Sequence, residues 1–357
     1  MMKKFILITL LTGLGFTMTS QPLAPDFTVT DSDGLQHQLY QDYLNQGKTV
    51  VIDLFFTYCP PCIELAPFLE PFYESWGGGT GDVEFIGLSV QNDDLNTHVA
   101  QFKINYDISY PGVGVDGGAI QAVQPFYSGD WGPFEGVPTF VVISPDGTVN
   151  FDPSNGVYEG NGVVALLEEA IRQTGARKPY TLTGTVTMPG GNAIGSFDLQ
   201  IDGELYSPDN IDAGGLFETE LLLRPDSIYA ISAVKSGSYN NGLTTFDMIK
   251  IRKHLLGIET FDAPWKYLAS DANLSGAIST ADLIQLTKLV LAVSNSLPNN
   301  SSWGFLKTDY FFASPGSPYG EAYEGSARVY QYVAGSGIPL DFIGYKIGDI
   351  NESADPD

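Results

Sequence analysis

Thr49-Val-Val-Ile-Asp-Leu-Phe-Phe-Thr-Tyr-Cys-Pro-Pro-Cys-Ile-Glu-Leu-Ala-Pro-Phe-Leu69 decides the fold. The run from Thr49 to Phe56 is apolar except for Thr49 and Asp53, the pattern of a strand buried on both faces. From Ile63 to Trp76 the apolar residues recur at helical spacing. Pro60 suits the first turn of that helix, where a backbone N–H would have no partner. Cys59 and Cys62 therefore stand between a strand end and a helix start. There the helix N-terminus stabilises a thiolate, and the second thiol can reach a mixed disulfide formed at the first.

Outward from this stretch, Val83–Val90 and Thr139–Ile143 read as further buried strands. Asp94 to Phe102 and Val163 to Gln173 read as helices, with Gly175 as a C-terminal stop. Interleaved buried strands and helices predict an α/β domain over residues 21–175. After the basic linker Ala176-Arg-Lys-Pro179 the pattern changes. Leu182–Thr187, Phe197–Ile201, Phe217–Leu221 and Tyr229–Ala233 alternate between turns, which predicts a small all-β sandwich over 176–235. Residues 236–357 carry an internal repeat: the stretch Gly242–Gly257 is echoed by Gly276–Ala292, each a glycine-containing loop, an Asp and an amphipathic helix. The whole reads as a multidomain chain: α/β, then all-β, then mostly α.

Composition narrows the partners. Of 357 residues, 17 are Lys or Arg and 42 Asp or Glu, a net charge of −25. So anionic a surface repels phosphate backbones and anionic lipid, which argues against nucleic acid. Two cysteines cannot make a disulfide scaffold, and with His37, His98 and His254 scattered singly a zinc site lacks its ligands. They are a structural staple or a redox pair, and the small loop they close removes little chain entropy, which disfavours the staple. Lys3 and Lys4 precede the apolar run Phe5–Phe16, the form of a signal peptide over residues 1–20. Export to the periplasm, cell surface or medium follows, with no membrane insertion after cleavage, in a compartment where disulfides persist.

Three motifs carry a family likeness over residues 24–175: Ala24-Pro-Asp-Phe27, Asp53-Leu-Phe-Phe-Thr-Tyr-Cys59 and Gly136-Val-Pro-Thr-Phe140. This part resembles the thioredoxin-like fold of exported TlpA-type thiol-disulfide oxidoreductases and redoxins. The resemblance implies that Cys59 attacks, Cys62 resolves, Pro138 is cis across from the pair, and Asp53 takes the Cys62 proton. It further implies disulfide-containing client proteins and an external thiol donor as partners, with no organic cofactor. Tyr58 stands where the family usually has tryptophan. Two other readings are a surface structural or adhesive protein with a vestigial redox fold, and a thiol peroxidase. The peroxidase reading suffers because Thr57 precedes Cys59 by two positions, where that family has three.

The twelve-residue stretch Asp271–Asp282 places Asp271, Asn273, Ser275, Ser279 and Asp282 at the oxygen-donor positions of a calcium loop. Gly276 makes the sharp turn, and the Ala277 carbonyl supplies the seventh position. The terminal Asp in place of Glu resembles dockerin modules, which implies calcium and a cohesin-like receptor. The preceding β segment resembles carboxypeptidase-regulatory-like sandwiches. The first copy of the repeat is incomplete, but Asp349-Ile-Asn351 repeats the opening of such a loop. The expectation is a second, split site formed by Asp349, Asn351, Asn240 and Asp247.

Overall fold

The computed structural model describes residues 22–356, so the expected signal peptide lies outside the described residues. The chain divides after Ala176 into two compact units.

In the first unit, a short antiparallel pair, β1 (Thr28–Thr30) and β2 (Gln36–Gln38), precedes β3 (Thr49–Phe55), α1 (Pro60–Ser75) and β4 (Val83–Ser89). There follow α2 (Asn96–Tyr106), β5 (Gly112–Val113), α3 (Ala119–Val123), β6 (Thr139–Ile143), β7 (Val149–Phe151) and α4 (Gly160–Gln173). The sheet order is β5-β4-β3-β6-β7, with β3 at the centre, parallel to β4 and antiparallel to β6. Every residue of β3 and β4 is buried, because both faces of the sheet are covered. The strand's period of two sorts its side chains: Val51 and Phe55 join the core with α1 and α4, while Val50, Ile52 and Leu54 face Leu39, Val123 and Phe126. Ala24–Phe27 is irregular; the first strand begins at Thr28, and Pro25 has no N–H to give a ladder.

The second unit contains β8 (Lys178–Thr187), β9 (Asp198–Ile201), β10 (Glu204–Tyr206), β11 (Asn210–Ile211), β12 (Leu216–Leu223) and β13 (Ile228–Val234). Three helices follow, α5 (Thr245–Leu255), α6 (Pro264–Ser270) and α7 (Thr280–Val290), then β14 (Trp303–Lys307), α8 (Tyr319–Tyr323), β15 (Tyr330–Val333) and β16 (Phe342–Lys346). Two sheets, β10-β9-β13-β15 and β11-β12-β8-β16-β14, enclose one core that includes Leu199, Phe217, Ile231 and Phe342.

The expected boundary between residues 235 and 236 is not where the architecture divides. β15 pairs with β13, and β16 runs parallel to β8, so the C-terminal segment completes both sheets. Alternation explains how one segment serves two cores. Phe305 and Phe342 point into the sheet core, whereas Leu306 and Tyr345 pack among Met248, Leu268, Leu286 and Leu289 of the helices.

Candidate redox site and paired acidic loops

β3 ends at Phe55, and four residues later Cys59 caps α1. Cys59 and Cys62 are joined as a disulfide with their Cα atoms 5.3 Å apart. The Cys62 backbone N–H donates to Cys59 Sγ at 3.2 Å, and because Pro60 and Pro61 have no N–H it is the one amide of the first helical turn that points at that sulfur. The Val137–Pro138 peptide bond is cis, and the Val137 carbonyl oxygen lies 4.0 Å from Cys59 Sγ. Cys59 is only 1% exposed and Cys62 5%, while Tyr58 beside them is 54% exposed.

Asp53 sits mid-strand in β3, opposite Gly87 and Phe140 in the neighbouring strands. It is 6% exposed. Tyr110 donates its hydroxyl to Oδ2 at 3.2 Å, and Oδ1 has no hydrogen-bond partner. Burial pushes the carboxyl up to about 7, against the opposing pull of the Tyr110 hydrogen bond.

Asp94 was not singled out by its sequence context, yet it ties the site together. Its carboxylate accepts the Thr57 N–H at 2.9 Å, the Thr57 hydroxyl at 2.6 Å and the Ser89 hydroxyl at 2.7 Å. One buried carboxylate thus fixes the loop leading to Cys59 against the end of β4.

In the second unit, Asp271 and Asp282 are both buried. Asp271 accepts the Ser275 and Gly276 amides at 2.9 and 2.7 Å and the Tyr323 hydroxyl at 2.8 Å. Asp282 accepts the Asn273 and Ser279 amides at 3.2 and 2.9 Å. Gly276 has φ +78°, the left-handed turn that lets the loop close.

The Ile350 N–H donates to Asp247 Oδ1 at 3.1 Å, which lays Asp349-Ile-Asn351 against Asp247, whereas no described hydrogen bond ties Asn240 to them. Its described hydrogen bonds stay within the turn Ser238–Leu243. The other positions are filled by Ser353, the Gly242 carbonyl and Thr244. Asp349 accepts the Ser353 and Ala354 amides at 3.3 and 2.7 Å, as Asp271 accepts those of Ser275 and Gly276. The Ser353 hydroxyl donates to the Gly242 carbonyl at 2.8 Å, as that of Ser275 donates to Ala277 at 3.0 Å. Thr244 and Asp247 form the same capping pair as Ser279 and Asp282. The tail lies so close that a Cβ on Gly242 would stand 2.4 Å from Ala354.

Each loop therefore offers two carboxylates, an amide, hydroxyls and a carbonyl, the hard-oxygen set that suits Ca²⁺. No three His, Cys, Asp or Glu side chains converge as a metal cluster among the described residues. None of the four loop aspartates has an ion-pair partner in range among those residues.

Residues 19–152 match the redoxin family, so the first unit carries a thioredoxin-like redoxin domain. The chain is 30% identical over 124 residues to thiol-disulfide oxidoreductase ResA of Geobacillus thermodenitrificans, covering 31% of this chain and 66% of that one. It is 22% identical over 129 residues to the thiol:disulfide interchange protein CycY of Rhizobium leguminosarum, covering 35% and 62%. The chain thus spans slightly less than two thirds of these relatives. A thioredoxin-family thiol:disulfide interchange protein from Chlorobium tepidum superposes over 42% of this chain and 95% of its own, at 23% identity and a TM-score of 0.33.

Proposed function

We propose that the protein is an exported thiol-disulfide oxidoreductase that exchanges disulfides with client proteins through Cys59 and Cys62. The observation that carries this reading is the Cys62 N–H directed at Cys59 Sγ from the helix start, the arrangement that favours a thiolate there. In the reduced protein the Cys59 thiolate attacks a client disulfide, forming a mixed disulfide and releasing one client thiolate. Cys62, losing its proton to Asp53, then attacks Cys59 Sγ, and the second client thiolate leaves. Two electrons pass from the protein's dithiol to the client, and an external thiol donor restores the dithiol. Thr57 is not free to orient a peroxide, since its hydroxyl is engaged by Asp94, which disfavours a peroxidase.

One observation favours a second reading. A cysteine 1% exposed offers an incoming thiolate no open approach, as expected of an inert cystine in a surface protein with a vestigial redox fold. Under the oxidoreductase reading the chain that brings the Val137 carbonyl to 4.0 Å must give way during exchange. Insulin reduction driven by dithiothreitol separates the two. Acceleration over dithiothreitol alone is expected, and no acceleration would leave the inert cystine.

The second unit we read as a calcium-braced, dockerin-like module, with a cohesin-like receptor as its partner. Ca²⁺ would supply positive charge to four buried aspartates that have no ion-pair partner in range among the described residues, Asp349 feeling the buried Lys346 ammonium only from further off. Asp271, Asn273, Ser275, the Ala277 carbonyl, Ser279 and Asp282 would hold one ion. Asp349, Asn351, Ser353, the Gly242 carbonyl, Thr244 and Asp247 would hold the other. Calorimetry should give two equivalents of Ca²⁺, with one lost in Asp271→Ala and the other in Asp349→Ala. Two undiminished equivalents in Asp349→Ala would remove the split site. Capture of a receptor in Ca²⁺ but not in EDTA is the matching test of docking.

A further inference from the structure

Beside the redox pair lies a hollow of about 430 Å³, bounded by Tyr58 and by the face of α2 that carries His98, Gln101, Phe102 and Tyr106. Its aromatic surface is prearranged: Tyr58 packs on Phe56 with ring centroids 4.6 Å apart, and Phe102 on Tyr106 at 4.9 Å. Two acids line it, Asp93 and Asp94, and they differ in kind. Asp94 is 1% exposed and already accepts three short hydrogen bonds from Thr57 and Ser89. Asp93 is exposed, takes only a long contact of 3.4 Å from the Tyr58 hydroxyl, and has no cationic partner among the described residues.

We propose that this hollow receives a cationic side chain, arginine above all, next to the client's reacting cysteine. The inference rests on the oxidoreductase reading. Tyr58 immediately precedes Cys59, so a client segment whose disulfide reaches that sulfur passes over the mouth of the hollow. A planar guanidinium stacks on the tyrosine and phenylalanine rings while its charge meets the Asp93 carboxylate. An acidic side chain there meets Asp93 and a surface of net charge −25, and is repelled. At an exposed site each of the two attractive contacts is worth about two- to fivefold in affinity.

The test uses the full-length protein at pH 8 and low salt, with three disulfide-linked peptides differing only in Arg, Gln or Glu beside the cysteine. The expected order of kcat/KM is Arg, Gln, Glu, with Arg over Glu by about tenfold and the spread narrowing as salt rises. Asp93→Asn should bring the ratio to within about twofold of unity, because the local charge is gone. Glu169→Gln, which removes an exposed acid on α4 that does not line the hollow, should leave the ratio as it was. Equal turnover of all three peptides overturns the inference alone, as does an unchanged ratio in Asp93→Asn or the same collapse in Glu169→Gln. Turnover of none of them overturns the oxidoreductase reading and this inference together.

Discussion

Replacing Cys59 by serine lowers client-disulfide reduction by about a hundredfold or more, to the rate of the external thiol alone. A serine hydroxyl is not ionised at neutral pH and cannot form the mixed disulfide, so none of the catalysed path survives. Cys62→Ser is expected to fail differently. Cys59 still attacks, but nothing resolves the intermediate, and a one-to-one adduct of protein and client accumulates that dithiothreitol releases. The asymmetry is the informative part. It follows from the helix amide that serves Cys59 Sγ. In an inert cystine the two variants would behave alike, losing some stability and changing no rate. The assay is turbidity of reduced insulin, with the adduct read on a non-reducing gel.

Asp53→Asn is expected to make the protein more stable at pH 8 and slower as an enzyme. Burial holds the Asp53 carboxyl at about 7 in the folded chain, against an ordinary 3.8. A carboxyl raised on folding is penalised wherever the unfolded chain would be ionised. The penalty is therefore absent below about pH 4, grows as pH rises towards 7, and is complete above that value. At about 1.4 kcal/mol for each pH unit by which the group is raised, it reaches about 4 kcal/mol. Asparagine keeps the shape and can still accept the Tyr110 hydroxyl, without the ionisation. Urea midpoints for the two proteins should converge near pH 4 and separate steadily up to about pH 8. A difference that does not vary with pH would mean that Asp53 is not the group held near 7. If Asp53 takes the Cys62 proton as proposed, the same substitution should make the mixed disulfide persist and flatten the rise of rate through pH 7.

Much of the redox site is legible in the sequence because its parts are local. The apolar run Thr49–Phe56, short and rich in β-branched and aromatic residues, reads as a buried strand, Pro60 marks the helix start, and an Asp in the middle of such a run must be either satisfied or functional. What escapes is long range. Asp94 reads as the first residue of a helix, whereas α2 begins at Asn96, and its grip on Thr57 exists only once β3 and β4 are side by side. Tyr110 likewise meets Asp53 only across the sheet.

The second unit hides more. Trp303-Gly-Phe-Leu-Lys307 shows no apolar-polar alternation, because Phe305 and Leu306 enter different cores on opposite faces. A strand buried on both sides in an Asn- and Ser-rich tail therefore does not announce itself. The split loop was half legible: Asp349 and Asn351 repeat the opening of the intact loop, and Asp247 matches its close. Asn240 follows from reading the loop as continuous in sequence, but its described hydrogen bonds stay within its own turn. The chain instead enters from Ser353, and Gly242 and Thr244 take the positions of Ala277 and Ser279. The signal was present in the repeat, where Thr244 stands three residues before Asp247 as Ser279 does before Asp282.

The most direct measurement is the pH dependence of alkylation of the reduced protein, following each cysteine by mass. The account predicts that Cys59 reacts first, with half-maximal rate below the free-thiol value of about 8.5, while Cys62 stays slow over the same range. Equal, sluggish reaction of both cysteines, with midpoints at or above that of a free thiol, would contradict it.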